Sequence, residues 1–271
     1  MASDPKTCFV ADVGNSTIDI GEFAIDDLSD GGCPAPIRTT KVDINRERQL
    51  SSSDRGWLRD LTGSRWLIGS VNQAAKVTLD HLLYRSKVDV VHFANRKDFE
   101  IPTAIRNPQT VGIDRLAGAT AANQMRSPEK PAIVVDAGTA ITIDCVSHEG
   151  VFLGGMIAPG LQLCAEALGS KTDQLPTLDL QELRPPQLIG DETKTAIAAG
   201  TYWLVAAGVD GILTRLKREL AGPCDIFVTG GSMPMLLPHL GLHQPVHCPH
   251  LVLSGIAMTL NQSAPNSEHK H

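Results

Sequence analysis

Residues 9–20 read F-V-A-D-V-G-N-S-T-I-D-I, and residues 133–145 read I-V-V-D-A-G-T-A-I-T-I-D-C. In both stretches a β-branched run reaches Asp-x-Gly, crosses a short polar turn and resumes apolar/polar alternation of period two. This is the pattern of two strands joined by a tight hairpin. The copies lie about half a chain apart, so the sequence is read as two related halves, each opening with a hairpin whose turn carries aspartate, glycine and small hydroxyl residues.

Further strands are expected at 65–70, 88–93, 150–157 and 225–229, each short, apolar and bounded by turn residues. Helical spacing of apolar residues predicts helices at 115–125, 161–169 (after Pro159-Gly160) and 193–220. Strands alternating with helices indicate α/β layers. The polar, proline-containing stretch 127–131 places the boundary between an N-terminal half, 1–128, and a C-terminal half, 129–271. Segment 29–36 is read as a loop, and the polar tail 263–271 is expected to fray.

The 271 residues, 42% hydrophobic and 20% charged, can bury one large core or two of roughly 100–150 residues each. A net charge of −6 with no Lys/Arg block gives no electrostatic reason to expect nucleic acid or anionic lipid as partner. A small substrate is expected. No uninterrupted apolar run approaches the roughly 18 residues of a membrane span, and the N-terminus lacks signal-peptide regions, so a cytoplasmic location is expected. The six cysteines show no CxxC spacing and read as small buried hydrophobes. The nine histidines include no HExxH; Pro245 between His243 and His247 works against a helix that would align them as ligands.

Chemistry concentrates in the turns. Gly14 lets backbone N–H groups approach an anion, and Asn15, Ser16 and Thr17 offer further hydrogen bonds to phosphate oxygens. Asp12, ending the strand, can hold Mg²⁺ through water. An ordinary hairpin turn would look the same taken singly, but Asp136, Gly138 and Thr139 repeat the device. Gly230 and Gly231 follow the apolar strand 225–229, where backbone can pack against an adenosine; a turn needing glycine only for its conformation gives the same pattern. Gly112-Ile113-Asp114-Arg115 offers a carboxylate to orient a hydroxyl and accept its proton, beside a guanidinium fork. On these four residues alone, a helix start capped by Asp114 remains open.

The ordered set resembles the phosphate-1, phosphate-2 and adenosine motifs of the superfamily joining acetate and sugar kinases, heat-shock chaperone ATPases and actin. The resemblance is closer to the type III pantothenate kinases, whose Asp-x-Gly-Asn-Thr, Gly-x-Asp-Arg, Asp-x-Gly-Thr-Ala-x-Thr-x-Asp and Gly-Gly-x-Ile-x-Pro-Gly motifs appear in order. Here they read Asp12 to Ser16, Gly112 to Arg115, Asp136 to Asp144 and Gly154 to Gly160. Asn107-Pro108, Ser70-Val71 and Gly190-Asp191-Glu192-Thr193 are also similar, and the likeness spans about residues 8–260.

The resemblance implies two actin-like (ribonuclease H-like) α/β halves with a cleft between them, and ATP-dependent phosphorylation of pantothenate to 4′-phosphopantothenate, the first step of coenzyme A synthesis. It implies Asp114 as catalytic base in a loop, Gly112, Ile113, Asp114 and Arg115, that lines the pantothenate site. Asp136 would hold K⁺ (or NH₄⁺), Thr139 would contact ATP beside Mg²⁺, and Thr193 would reach pantothenate from the partner subunit of a homodimer. Three departures stand out: Ser16 replaces the usual threonine, Asp19 stands where many relatives carry lysine, and loop 94–111 has no tyrosine. The alternatives are a kinase of another polyol or sugar, a polyphosphate hydrolase, and a non-catalytic transcriptional accessory factor of the same fold. The intact Asp12, Asp114 and Asp136 favour an enzyme. A chaperone or filament protein is disfavoured by the absence of room for their extra domains.

Overall fold

The computed structural model describes residues 7–29, 32–43, 61, 64–85, 88, 90–180 and 185–262; the tail 263–271 lies outside them. It divides into two compact units, Met1–Met125 with His250–His271, and Arg126–Pro249.

The first unit holds β1 (Thr7–Val13), β2 (Thr17–Ala24), α1 (Ile25–Ser29), β3 (Arg38–Asp43), β4 (Arg65–Ser70), α2 (Gln73–Arg85), β5 (Val90–Phe93), α3 (Ile113–Met125) and, returning from the far end of the sequence, α7 (Leu251–Ala257). Its sheet runs β3-β2-β1-β4-β5. The β1–β2 and β2–β3 pairs are antiparallel, and β1–β4 and β4–β5 are parallel. Because β1 is buried on both faces it reads as a near-continuous apolar run. One face, with Phe9, Ala11, Val13, Ile18, Ile20 and Ile68, packs on Ala75, Leu79 and Leu83 of α2, and Phe9 stacks on Trp66 at 4.9 Å. The other face meets α7, which also packs along α3.

The second unit holds β6 (Ala132–Ala137), β7 (Ala140–Val146), β8 (Phe152–Pro159), α4 (Leu161–Lys171), α5 (Thr193–Glu219), β9 (Asp225–Thr229), α6 (Met233–Leu236) and β10 (Val246–His247). Its sheet, β8-β7-β6-β9-β10, repeats the order of the first unit strand for strand. The pairings repeat too: antiparallel to either side of β7, parallel to either side of β9. Two related α/β halves are therefore what the chain forms. The core gathers Ile133, Val135, Ile143, Ile226 and Val228 of the sheet around Tyr202, Val209 and Leu213 of α5. By length and composition α5 would suffice to cross a membrane, yet its Ile197, Tyr202, Val209 and Leu213 form that core face.

The units change over between Met125 and Arg126, just ahead of the polar stretch 127–131. Ser127 N–H donates to Asp225 Oδ2 at 2.6 Å and Lys130 Nζ pairs with Asp225 Oδ1 at 3.1 Å, so the linker is tied to β9. The sequence division differs at the other end, since it leaves residues after 249 with the second half. Helix α7 is buried along its whole length in the first unit, and a Cβ on Gly255 would collide with the Ala117 carbonyl of α3. The sequence reading also lacked α1, β3, α2, α6, β10 and α7 itself. All six cysteines are free, and burial pushes the Cys8 and Cys145 thiols up to about 12, which leaves them inert. Among the histidines, His239 is hydrogen-bonded to Tyr202 and His243 to Asp210. Among the described residues no three His, Cys, Asp or Glu side chains gather as metal ligands.

The α3–α7 contact gives a direct test. Gly255→Ala should destabilise the protein by about 1–3 kcal/mol through overpacking, measured as a lower midpoint in urea; an unchanged midpoint would mean the two helices part without cost.

Candidate active site

In the first unit, β1 delivers Asp12 to the end of the sheet, with Asp19 opposite on β2 and Gly69 opposite on β4. The turn that follows is closed by Gly14 N–H donating to the Thr17 carbonyl at 2.9 Å. Asn15 is exposed and Ser16 and Thr17 are half-buried, so their polar atoms stay reachable.

Helix α3 brings the Gly112-Ile113-Asp114-Arg115 loop to the same end of this sheet. Gly69 lets the Ile113 and Ile256 side chains close over the strand: a Cβ there would lie 3.0 Å from Ile113 Cγ2 and 2.6 Å from Ile256 Cδ1. Just beyond, Val71 N–H donates to the Val13 carbonyl at 3.1 Å, and Val71 Cγ1 lies 3.6 Å from where a Gly112 Cβ would be. Asp114 is thus a neighbour of the first hairpin within one rigid packing. Its carboxylate folds back over Gly112, where a Cβ would strike Oδ1, and accepts the Arg115 N–H at 2.8 Å. Burial pushes the Asp114 carboxyl above the usual carboxylate range, against the downward pull of the Arg115 N–H and the Arg115 charge. Standing in the first turn of a helix, the ionised form gains from the positive end of the helix dipole. Asp114 is the second residue of the helix and not the residue before it, and its bond to the Arg115 N–H is the helix-start role that the sequence also left open.

The second unit builds the matching end of β6. Asp136 stands opposite Thr142 on β7 and Thr229 on β9. Gly138 N–H closes the turn on the Ala140 carbonyl at 3.0 Å, and Thr139, exposed, offers its carbonyl to Gly160 N–H at 3.0 Å. Gly230 has φ of 98°, and its Cβ would lie 2.5 Å from Asp136 Oδ1 and from Ala137 N. Only glycine fits both the conformation and the approach. Gly231 is exposed beside it, and Ser232 N–H donates to the Ala137 carbonyl at 2.9 Å. Gly160, read from sequence as shaping a strand-to-helix passage, is a second close approach, since a Cβ there would strike the Gly138 carbonyl. Thr193 is exposed at the first residue of α5. The Gly190 to Thr193 turn is itself tight, for a Gly190 Cβ would collide with Ala196 N.

The structure therefore groups Asp12, Gly14 to Thr17 and Gly112 to Arg115 in one unit, and Asp136, Gly138, Thr139, Gly230 and Gly231 in the other. Sequence reasoning missed Gly69, whose only signal is a glycine in an apolar strand, and Lys41, which no motif marks. Lys41 Nζ lies 3.0 Å from Asp19 Oδ1.

Duplicated sheets of one strand order, each with its Asp-x-Gly turn at the end of its first strand, define a protein of the actin-like kinase and ATPase class. The family model described as type III pantothenate kinase matches residues 8–215, and the chain belongs to that family. A curated type III pantothenate kinase of Parafrankia sp. is 32% identical over 265 residues, covering 93% of this chain and 96% of that protein. Those of Zymomonas mobilis and Rhodopirellula baltica are 34% and 41% identical over 174 residues each, 64% and 61% of this chain. In these two alignments the chain spans 62% and 60% of the relatives' own length.

The raised Asp114 carboxyl has a signed consequence for stability. The neutral acid favours the fold, a contribution fully present below the unfolded carboxylate range near ~3.9 and lost as pH rises through the folded value. Asp114→Asn, permanently neutral, should be more resistant to urea than the unaltered protein at about pH 7, with the advantage vanishing near pH 3. Lower stability of the variant at neutral pH would show that the ionised carboxylate's hydrogen bond outweighs its burial.

Proposed function

We propose that the protein transfers the γ-phosphoryl group of ATP to the primary hydroxyl of pantothenate, giving 4′-phosphopantothenate and ADP. The observation that carries this reading is Asp114, a carboxylate desolvated beside a phosphate-type hairpin and positioned by helix α3. The hydroxyl proton passes to Asp114 as the new O–P bond forms and the bond from the γ-phosphorus to the bridging oxygen breaks, releasing ADP. Gly112, Ile113 and Arg115 line the acceptor's place, with the Arg115 fork suited to carboxylate or phosphate oxygens. Gly14, Asn15, Ser16 and Thr17, and likewise Gly138, Thr139, Gly230 and Gly231, are assigned to the nucleotide.

Mg²⁺ would neutralise charge on the transferring phosphates. The residues present fit it as a water-mediated ion on Asp12, because a carboxylate at a strand end leaves most of the ion's shell to nucleotide oxygens and water. Asp136 is assigned to K⁺ or NH₄⁺. A cytoplasmic location, where ATP is supplied, belongs to this reading.

A homodimer belongs to this reading. Helix α5 leaves Ala196, Gly200, Leu204 and Gly208 exposed on one stripe, with Leu204 75% exposed. A Cβ on Gly200 or Gly208 would meet open space. Each glycine costs a helix about 1 kcal/mol relative to alanine, and nothing within the unit requires them. Close approach by the same helix of a second copy does, and Thr193 begins that helix.

Coupled ADP release from MgATP should require pantothenate, be faster in K⁺ than in Na⁺, and fall by about 10²–10⁴ in Asp114→Asn. Asp136→Asn should lose the K⁺ preference. Turnover with sugars but not pantothenate would reject the acceptor. Light scattering should give twice the 29.0 kDa chain mass, and Leu204→Glu should yield monomers with a raised KM for pantothenate; a monomeric unaltered protein would reject the dimer.

A further inference from the structure

The strand pairing of the first unit sets three charged residues in one row. Asp19 on β2 is opposite Asp12 on β1, and Lys41 on β3 is opposite Asp19. Residues directly opposite share a face of the sheet, so the row runs carboxylate, carboxylate, ammonium across the strand ends that carry the Gly14 turn. Like charges directly opposite repel. Unless Asp19 is neutralised, it opposes both Asp12 and any polyphosphate held by that turn.

Both oxygens of Asp19 are engaged. Lys41 Nζ lies 3.0 Å from Oδ1, and the Thr17 hydroxyl donates to Oδ2 at 3.3 Å. Thr17 has one proton to give, so while it bonds to Asp19 it meets a phosphate only as an acceptor, which a phosphate anion does not favour. The phosphate-facing character of the turn is therefore set from the neighbouring strand. The side chains of Lys41 and Asp19 are 50% and 31% exposed, and pairs so exposed contribute little to folding. The contribution of this one is expected in ligand binding.

We propose that Lys41 is a positioning residue for the nucleoside triphosphate: its ammonium cancels Asp19, and the Lys41–Asp19 pair sets the affinity of the first hairpin for the Mg²⁺-bound polyphosphate. This rests on the reading of that hairpin as a phosphate site. It does not depend on which alcohol accepts the phosphoryl group.

The test is calorimetric binding of MgADP and MgATP to the full chain, paired with steady-state kinetics. Lys41→Met should weaken nucleotide binding about fivefold to tenfold at low salt, the size expected of one lost, partly screened charge. It should raise the KM for ATP by the same factor with kcat within about twofold, as loss of uniform binding requires. The melting temperature should not move. Adding Asp19→Asn to Lys41→Met should restore the affinity, since the charge to be cancelled is then gone. Unaltered affinity in Lys41→Met overturns the proposal. So does a double variant as weak as the single one, because Lys41 would then act on the phosphates directly. Absence of nucleotide binding to the unaltered protein overturns both the phosphate site and this inference. Failure of pantothenate alone to elicit turnover removes only the acceptor assignment, and the binding series still decides on Lys41.

Discussion

At the ends of β1 and β6 an aspartate and a glycine turn meet the end of a parallel strand foreign to the hairpin, and most of the fold follows from making that junction twice. In the second unit the foreign backbone is the Gly230 turn, which sits against Asp136 and Ala137 in a left-handed conformation. In the first unit the parallel neighbour of Asp12 is Gly69, pressed by Ile113 and Ile256. Parallel pairing is what brings these ends together. An antiparallel neighbour would place its start, and not its end, beside the aspartate. The shared strand order of the two sheets is thus a consequence of needing an antiparallel hairpin on one side of the aspartate and a parallel strand ending on the other.

Most of this is legible in the sequence, for identifiable reasons. The hairpins declare themselves by period-two alternation around Asp-x-Gly, and the strands Arg65–Ser70 and Asp225–Thr229 by short apolar runs bounded by turns. Helix α2 escapes because its apolar stripe, Ala75, Leu79 and Leu83, is narrow and set among polar residues. Strand β3, R-T-T-K-V-D, escapes because only one of its six residues is strongly apolar. An edge strand faces the sheet on one side only and needs no continuous hydrophobic run. The return of α7 to the first unit is a tertiary fact. Its sequence, L-V-L-S-G-I-A, tells that it is buried but not where; only the fit of Gly255 against Ala117 decides that.

The candidate site divides along the same line. Asp12, Asp114 and Asp136 sit within motifs, so spacing along the chain reveals them. Asp19 is visible as a departure from the family pattern but its meaning is not, because the charge that answers it lies 22 positions away on β3 and is brought alongside by register alone. A sequence comparison sees a lost cation at Asp19. The sheet shows a cation one strand over, at Lys41, holding that carboxylate at 3.0 Å.

Helix α5 shows how the demands of the core and of the surface can be met by one element without conflict. Its inward face carries large residues, Tyr202, Val209 and Leu213, which fill the space above the second sheet. Its outward stripe of Ala196, Gly200, Leu204 and Gly208 carries no charge and only one large side chain, that of Leu204. A helix selected for solubility alone would carry charge on that stripe, and one selected for helix stability would carry alanine in place of glycine. The stripe does neither, and the two glycines cost stability that the unit's own packing never recovers. Such a surface suits a helix that meets another backbone at short range, as in the dimer proposed above, and the turn Gly190 to Thr193 that opens it is as closely packed as the turns that hold Asp136 and Asp114.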